Sequence, residues 1–360
     1  MNDKKLFRKI LMTWHRRKNK RAMPWKGEKD PYKVWLSEII LQQTRVEQGW
    51  SYYEKFIQQY PAIQDLATAK DEDVYKLWEG LGYYTRCKNL LHTARNVNEN
   101  FAGKFPTDYH SILQLKGIGA YTASAIASFC FNEQYAVVDG NVLRILARYF
   151  GIDLPVDSIK NKKFFAGLAQ ECLDKKYPGE YNQSIMDFGA TICKPAPLCN
   201  ECPLRLKCVA FNLNKVSVLP VKEKRIIKKE RWFNYFIFSF NNKIFIQQRT
   251  AKDIWQNLYQ FYLSETNYNA EWNTEKIKAW LEKNLDIKKT KSISIIPAQK
   301  QLLTHQIING YFIHAELNEM PSSLNKEKGE WLNNSTLKSK AFPQFLHQFL
   351  YRKAIQLQVL

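Results

Sequence analysis

The stretch Leu113–Arg144, L-Q-L-K-G-I-G-A-Y-T-A-S-A-I-A-S-F-C-F-N-E-Q-Y-A-V-V-D-G-N-V-L-R, constrains this chain more than any other. Gly117 and Gly119, just after Lys116, separate a short helical run from a helix of small residues, Ala120 to Phe129. Glycine permits the positive φ and close backbone approach that a tight turn between helices needs. The second helix then offers unpaired N–H groups at its start, a ready site for an anion, which on DNA is a phosphate. Further on, Val137-Val138-Asp139-Gly140-Asn141 sets an acid directly before an amphipathic run with Val142, Ile145, Leu146 and Tyr149 on one stripe. An aspartate there is most simply a helix N-cap, so its meaning depends on the rest of the chain.

Upstream, residues 1–30 carry eleven Lys/Arg against three acids and include Arg21-Ala22-Met23-Pro24-Trp25, whose apolar end is unusual to leave in water. From Pro31, a residue suited to a first helical turn, Tyr32, Trp35, Leu36, Ile39 and Ile40 recur at helical spacing. Glu38 lies beside that stripe, where lost solvation raises a carboxyl pKa toward the value a general acid needs near neutrality. Gln42 and Gln43 follow with neutral amides suited to base edges. Gly80-Leu81-Gly82-Tyr83-Tyr84 forms a bendable loop tipped with rings that can stack on or wedge between bases.

Helical text continues over 152–190 and ends in Cys193-x5-Cys199-x2-Cys202-x5-Cys208. Four thiols so close predict a metal site, and four cysteine ligands fit either zinc or a [4Fe–4S] cluster. Residues 216–231, charge-rich from Lys222, read as a linker. Beyond it the period becomes strand-like, at 232–240 and 243–248 around Asn241-Asn242, then near 291–298 and 309–317. Helices are expected near 273–284 and 342–356. This is a small α+β domain.

With 360 residues the chain is long enough for about two domains. Its 54 Lys/Arg against 34 acids, net +20, point to a polyanion, most simply nucleic acid. No apolar run approaches a membrane span, and the Lys/Arg-rich start is no signal peptide. Seven cysteines, four of them crowded together, suit a reducing, intracellular compartment better than a disulfide framework.

Taken together, S-E-I-I-L-Q-Q-T, G-L-G-Y-Y-T-R, L-K-G-I-G-A-Y-T-A, V-D-G-N-V and the four cysteines resemble, in order and interval, the MutY family of adenine DNA glycosylases in the helix-hairpin-helix superfamily. The resemblance spans roughly residues 8–215. It extends more loosely, through Gln248-Arg249, Trp255 to Phe261 and Leu303-Thr304-His305, to that family's Nudix-like domain. It implies a mainly α glycosylase region over 1–215, a helix-hairpin-helix six-helix barrel with an iron–sulfur helical subdomain and a [4Fe–4S] loop at 193–208. A linker over 216–231 then leads to an α+β Nudix-like domain over 232–360 that recognises 8-oxoguanine. The glutamate-rich Mg²⁺-binding helix of nucleotide pyrophosphatases does not follow Phe261, so this domain reads as a recognition module.

The activity implied is removal of adenine mispaired with 8-oxoguanine or guanine in duplex DNA, after base flipping. By the resemblance, Glu38 protonates adenine at N7, and Asp139 faces the oxocarbenium-like sugar at C1′, by electrostatic stabilisation or a transient covalent adduct, as in two-carboxylate glycoside hydrolysis. Tyr121 and Asn141 position Asp139 and the sugar. Strand-cleaving, endonuclease III-like relatives carry a lysine where this chain has Tyr121, so a monofunctional enzyme is expected. Lys116, Gly117 and Gly119 meet the DNA backbone, Tyr83 wedges at 8-oxoguanine, Gln43 or Gln42 fills the space around it, and Thr304 and His305 read it. Arg21, Met23, Trp25 and Gln183 line the adenine pocket. Cys193, Cys199, Cys202 and Cys208 hold the cluster, whose role is structural.

Departures from the family pattern are a first cysteine interval of five rather than six residues, Leu-Thr-His for Phe-Ser-His, Met23 and Lys26 where Leu and Arg are frequent, and Gln183 for a glutamate. Two competing readings, an endonuclease III-like lyase and an idle lesion binder, are opposed by Tyr121 and by the retained carboxylates. A monomer acting on bacterial, nucleoid-associated cytoplasmic DNA, away from any membrane, completes the expectation.

Overall fold

The computed structural model describes residues 3–223 and 227–350. Residues 224–226 of the expected linker and 351–356 of the expected last helix lie outside the described residues. The chain divides into two compact units, one formed by Met1–Ala69 and Lys88–Arg225, the other by Lys70–Cys87 and Ile226–Leu360. Lys70–Cys87, placed by sequence in the N-terminal region, thus belongs with the C-terminal unit. In chain order the helices up to residue 212 are α1 (Asp3–Lys18), α2 (Pro31–Leu41), α3 (Val46–Gln59), α4 (Ile63–Thr68), α5 (Asp71–Trp78), α6 (Thr85–Asn100), α7 (Tyr109–Gln114), α8 (Ala120–Phe131), α9 (Gly140–Phe150), α10 (Lys162–Cys172), α11 (Pro178–Thr191) and α12 (Val209–Asn212).

In the first unit the helix ends follow local chemistry. Asp30 caps α2 by accepting from the Tyr32 N–H at 2.9 Å, with Pro31 in the first turn, where no N–H is needed. The helices α8 and α9 stop at Asn132 and Gly151, both with positive φ. The predicted stripe of α9, Val142, Ile145, Leu146 and Tyr149, is fully buried against Phe7, Leu11, Trp14, Phe165, Tyr181 and Phe188. The central helix α11 packs on α1, α8 and α9 and is buried along most of its length. Its side chains therefore face neighbouring helices rather than water.

The second unit is built on a mixed sheet. Its strands are β1 (Lys229–Phe240), β2 (Lys243–Gln248), β3 (Tyr259–Gln260), β4 (Tyr262–Thr266), β5 (Thr290–Leu302), β6 (Gln306–Leu317) and β7 (Gly329–Asn333). The order is β3-β2-β1-β6-β5, with β4 also on β1 and β7 on β2; β1 and β6 run parallel and the other pairs antiparallel. Asn241 and Asn242 both adopt positive φ in the β1–β2 turn, as a tight hairpin requires. The near-continuous apolar text of β1 is explained by cover on both faces. Phe233, Tyr235 and Ile237 enter one core with Phe312 and Phe345, while Phe236 and Phe238 enter another with Ile277 and Leu281 of helix α13 (Thr274–Leu285). The remaining helices are α14 (Ser322–Lys326), α15 (Asn334–Ser339) and α16 (Gln344–Leu350).

Candidate active site

A cavity of about 900 Å³ opens in the first unit between α2, the start of α8, the Asp139 turn, α11 and the segment 21–29. Glu38, Gln42, Gln43, Tyr121, Asp139, Asn141, Arg21, Met23, Trp25 and Gln183 all line it. The fold thus gathers these side chains from positions more than 160 residues apart.

Glu38 lies on the buried face of α2 and is only 6% exposed. Burial, and secondarily the Asp139 charge, raise its carboxyl to about 7, against a hydrogen bond from Tyr121 that pulls it down. Among the described residues, no Lys or Arg forms an ion pair with Glu38. Asp139 caps α9: one oxygen accepts from the Val142 N–H at 2.7 Å and the other from Asn141 Nδ2 at 2.8 Å. Burial also pushes Asp139 up, opposed by those hydrogen bonds and by Arg144. The Tyr121 hydroxyl, driven well above 10 by burial and the two carboxylates, stays neutral and can donate to Glu38. A carboxyl that titrates near 7 can supply a proton at neutral pH, and an oriented carboxylate in the same cavity can stabilise developing positive charge.

Arg21, Lys26 and Gln183, which line the cavity, are held from behind by a residue that the sequence did not single out. Asp187, fully buried on α11, accepts from Asn19 Nδ2 (2.7 Å), Arg21 Nη1 (2.9 Å), Lys26 Nζ (3.0 Å) and Gln183 Nε2 (3.0 Å). Arg21 and Gln183 are therefore anchored to a carboxylate. The Gln183–Asp187 spacing of one helical turn was the available signal, but nothing in the text tied it to residues 19–26. Trp25 is buried edge-on against Tyr53 at 5.2 Å, which answers the puzzle of Met-Pro-Trp in a basic segment, while Met23 is half-buried. Gln42 donates to Thr122 Oγ1 at 3.4 Å, and Gln43 is exposed with φ +57.

In the hairpin only Gly117 uses positive φ (+80); Gly119 is extended and caps α8 without a side chain. A Cβ on Gly117 would also lie 2.7 Å from Asn89 Cβ, so close approach adds to the conformational reason for glycine. Lys116, Gly117, Gly119 and Ala120 are all exposed, leaving the α8 N–H groups open to an anion.

Cys193, Cys199, Cys202 and Cys208 line one small apolar cavity, and none forms a disulfide. Among the described residues no three His, Cys, Asp or Glu side chains are set around a single-ion site. Arg148 braces the loop, donating to Cys193 Sγ (3.6 Å) and to the carbonyls of Lys194 (2.7 Å) and Pro195 (2.9 Å). Arg144 joins it to the Asp139 turn, donating to Asn141 Oδ1, Gly189 O and Cys193 O, each at 2.8 Å. Neither arginine stood out in the sequence.

The second unit carries Tyr83, Thr304 and His305. The Tyr83 hydroxyl lies 2.9 Å from Thr304 Oγ1; Tyr83 is 45% exposed and His305 exposed, while Leu303 is partly buried against the sheet core.

Residues 36–165 match the family model for HhH-GPD superfamily base excision DNA repair proteins, and 234–352 match that for the NUDIX domain. Fold and cavity together define a base excision DNA repair protein of the helix-hairpin-helix class with a Nudix-like C-terminal domain. The adenine DNA glycosylase of Buchnera aphidicola (subsp. Schizaphis graminum) is 38% identical over 282 residues, covering 78% of this chain and 79% of the relative. That of Buchnera aphidicola (subsp. Baizongia pistaciae) is 34% identical over 337 residues, 91% of each. Among solved structures, a thermostable thymine-DNA glycosylase is similar with a TM-score of 0.54 at 28% identity, over 58% of this chain and 97% of that one. The chain belongs to the adenine DNA glycosylase family: it hydrolyses N-glycosidic bonds and acts on adenine in DNA in base excision repair.

Proposed function

We propose that the chain excises adenine mispaired with 8-oxoguanine or guanine in duplex DNA, as a monofunctional glycosylase acting on a flipped-out base. The observation that carries this reading is the buried Glu38, at about 7, sharing its cavity with the separately capped Asp139. The adenine enters the cavity between α2 and α11. Glu38 delivers a proton to the base, so the C1′–N bond breaks with a neutral leaving group. Asp139, held by Asn141 and the Val142 N–H, faces the positive charge that develops on the sugar, and water completes the hydrolysis. Tyr121 holds Glu38 by a hydrogen bond and offers no amine for a Schiff base. The two lysines that line the cavity are engaged elsewhere, Lys26 with Asp187 and Lys29 with the Phe129 carbonyl at 2.7 Å.

The four cysteines of the 193–208 loop fit a [4Fe–4S] cluster, since all four thiols face one apolar cavity and none is spent on a disulfide. Bound there, the cluster supplies structural cross-linking of the loop that Arg144 and Arg148 tie to α9. The open start of α8 and the exposed Lys116 bind backbone phosphate, giving affinity that weakens with salt and carries no sequence information. Tyr83, Thr304 and His305 read the 8-oxoguanine, and Gln42 and Gln43 offer amides to DNA bases; DNA in the bacterial cytoplasm is the setting, and the monomer the working form.

The test is single-turnover adenine release from duplexes with adenine opposite 8-oxoguanine, guanine or thymine, with and without alkali. Release opposite 8-oxoguanine and guanine, with strand breaks only after alkali, is the expected result. Breaks without alkali would overturn the monofunctional reading, and equal release opposite thymine would overturn the mispair reading.

A further inference from the structure

Tyr83 stands in an unfavourable backbone conformation, φ +49, between Gly82 at φ +73 and the start of α6. A non-glycine residue there is disfavoured, and persists only where its surroundings over-determine it. The local supports are the Arg86 N–H on the Tyr83 carbonyl (2.8 Å), Trp78 Nε1 on the Gly82 carbonyl (3.1 Å) and the Arg86 guanidinium 5.4 Å from the Tyr83 ring. The helix leading into this loop, α5, is in turn fastened at several points to the C-terminal part of its own unit.

Glu79, just past α5, accepts from the Phe342 N–H at 2.8 Å and from Lys76 Nζ at 2.6 Å, and lies 2.9 Å from His347 Nε2. Its side chain is 10% exposed. Burial opposes its charge, yet the bonds from His347, Lys76 and Phe342 hold its carboxyl below the usual range. Lys76 Nζ also donates to the Lys340 carbonyl at 3.1 Å. One turn earlier, Tyr75 Oη accepts from Asn257 Nδ2 at 2.8 Å, and Glu72 accepts from Tyr259 Oη at 2.9 Å and Lys340 Nζ at 3.3 Å.

We infer that Glu79, with Glu72 and Tyr75, forms a clasp that sets Tyr83 in register with Thr304 before DNA arrives, making Glu79 a positioning residue for lesion discrimination. This rests on the reading that Tyr83 and Thr304 meet 8-oxoguanine. The physical reason is entropic: a ring held in its working place does not have to be ordered on binding. Base removal itself uses none of these groups, so the clasp acts on the preference for 8-oxoguanine over guanine and not on the chemical step.

The experiment compares Glu79→Ala, Glu79→Gln, Glu72→Ala and Tyr83→Ala in the full chain. It reads the ratio of single-turnover rates on A:8-oxoguanine and A:G duplexes, and backbone hydrogen exchange over residues 80–86 without DNA. Glu79→Ala is expected to lower the rate ratio about fivefold, the size of one lost hydrogen bond, to leave the A:G rate unchanged and to speed exchange. Glu79→Gln, which still accepts from the Phe342 N–H, is expected to recover part of the ratio. Should Glu79→Ala fail to fold, Glu72→Ala tests the other end of the clasp. A lowered ratio in Tyr83→Ala with unchanged ratio and exchange in both clasp variants would overturn the inference. An unchanged ratio in Tyr83→Ala would instead remove the lesion-reading role of Tyr83, and exchange over 80–86 would still decide whether the clasp holds the loop.

Discussion

The Glu38 cavity of the first unit and the Tyr83 and Thr304-His305 loops of the second are opposite environments. In the cavity, Glu38 and Asp139 are withdrawn from water, and their properties come from what surrounds them. In the loops, Tyr83 and His305 are exposed, and what they can touch is set by where the backbone presents them. Chemistry at a glycosidic bond needs a proton held at neutral pH, which desolvation, helped by a neighbouring carboxylate, gives Glu38. Discrimination between two purines needs edges and rings that a base can touch. A related contrast holds between two buried carboxylates of the first unit: Glu38 has no ion-pair partner among the described residues, whereas Asp187 holds two cations and two amides.

The sharpest way to break this contrast is Glu38→Gln. Adenine release should fall by roughly 10²–10⁴-fold, the range for a lost general acid, while affinity for the mispaired duplex stays near that of the parent; normal turnover would sink the acid assignment. Asp187→Asn should act on stability instead. An amide facing four donors leaves Arg21 and Lys26 without their counter-charge, a loss of about 3 kcal/mol in urea unfolding, and an unchanged midpoint would deny Asp187 its anchoring role.

The pH profile sharpens the comparison next. On the proposed mechanism Glu38 carries its proton to act, and that form disappears as pH rises through about 7. Single-turnover release should therefore decline on the alkaline side, toward roughly tenfold per pH unit. On the acid side the same mechanism needs Asp139 ionised. Its carboxyl is raised by burial, so activity should fall off above the ordinary aspartate range of about 4. A flat profile between pH 6 and 9 would contradict the Glu38 environment. The smallest effect belongs to the loops: His305→Ala should narrow the preference for 8-oxoguanine over guanine by about fivefold, one hydrogen bond's worth, with the A:G rate unaltered. An unchanged preference would count against the loop.

Some of this was legible in the chain. The strands around Asn241-Asn242, the buried stripe of α9, the position of Glu38 on an apolar helix and the cysteine spacing all follow from local pattern. Each depends on residues a few positions apart, where helix and strand periods are fixed by backbone geometry. The hairpin was legible in part: Gly117 has the positive φ expected of it, but Gly119 is an extended N-cap.

Local pattern is silent on partners distant in sequence. That Asp187 anchors Arg21 and Lys26, and that Arg144 links Asn141 to the cysteine loop, depends on helices meeting across the first unit. That Lys70–Cys87 joins the C-terminal unit, so that Tyr83 meets Thr304, depends on bonds such as Glu79 to Phe342, which span more than 260 residues. By itself the sequence determined which residues had the chemistry for protonation, charge stabilisation and thiolate ligation, because residue type and helical phase decide that. Only the tertiary structure decided which carboxylate is left unpaired and which is neutralised, because a carboxyl pKa is set by the charges and water within a few ångströms, and those arrive through long-range packing.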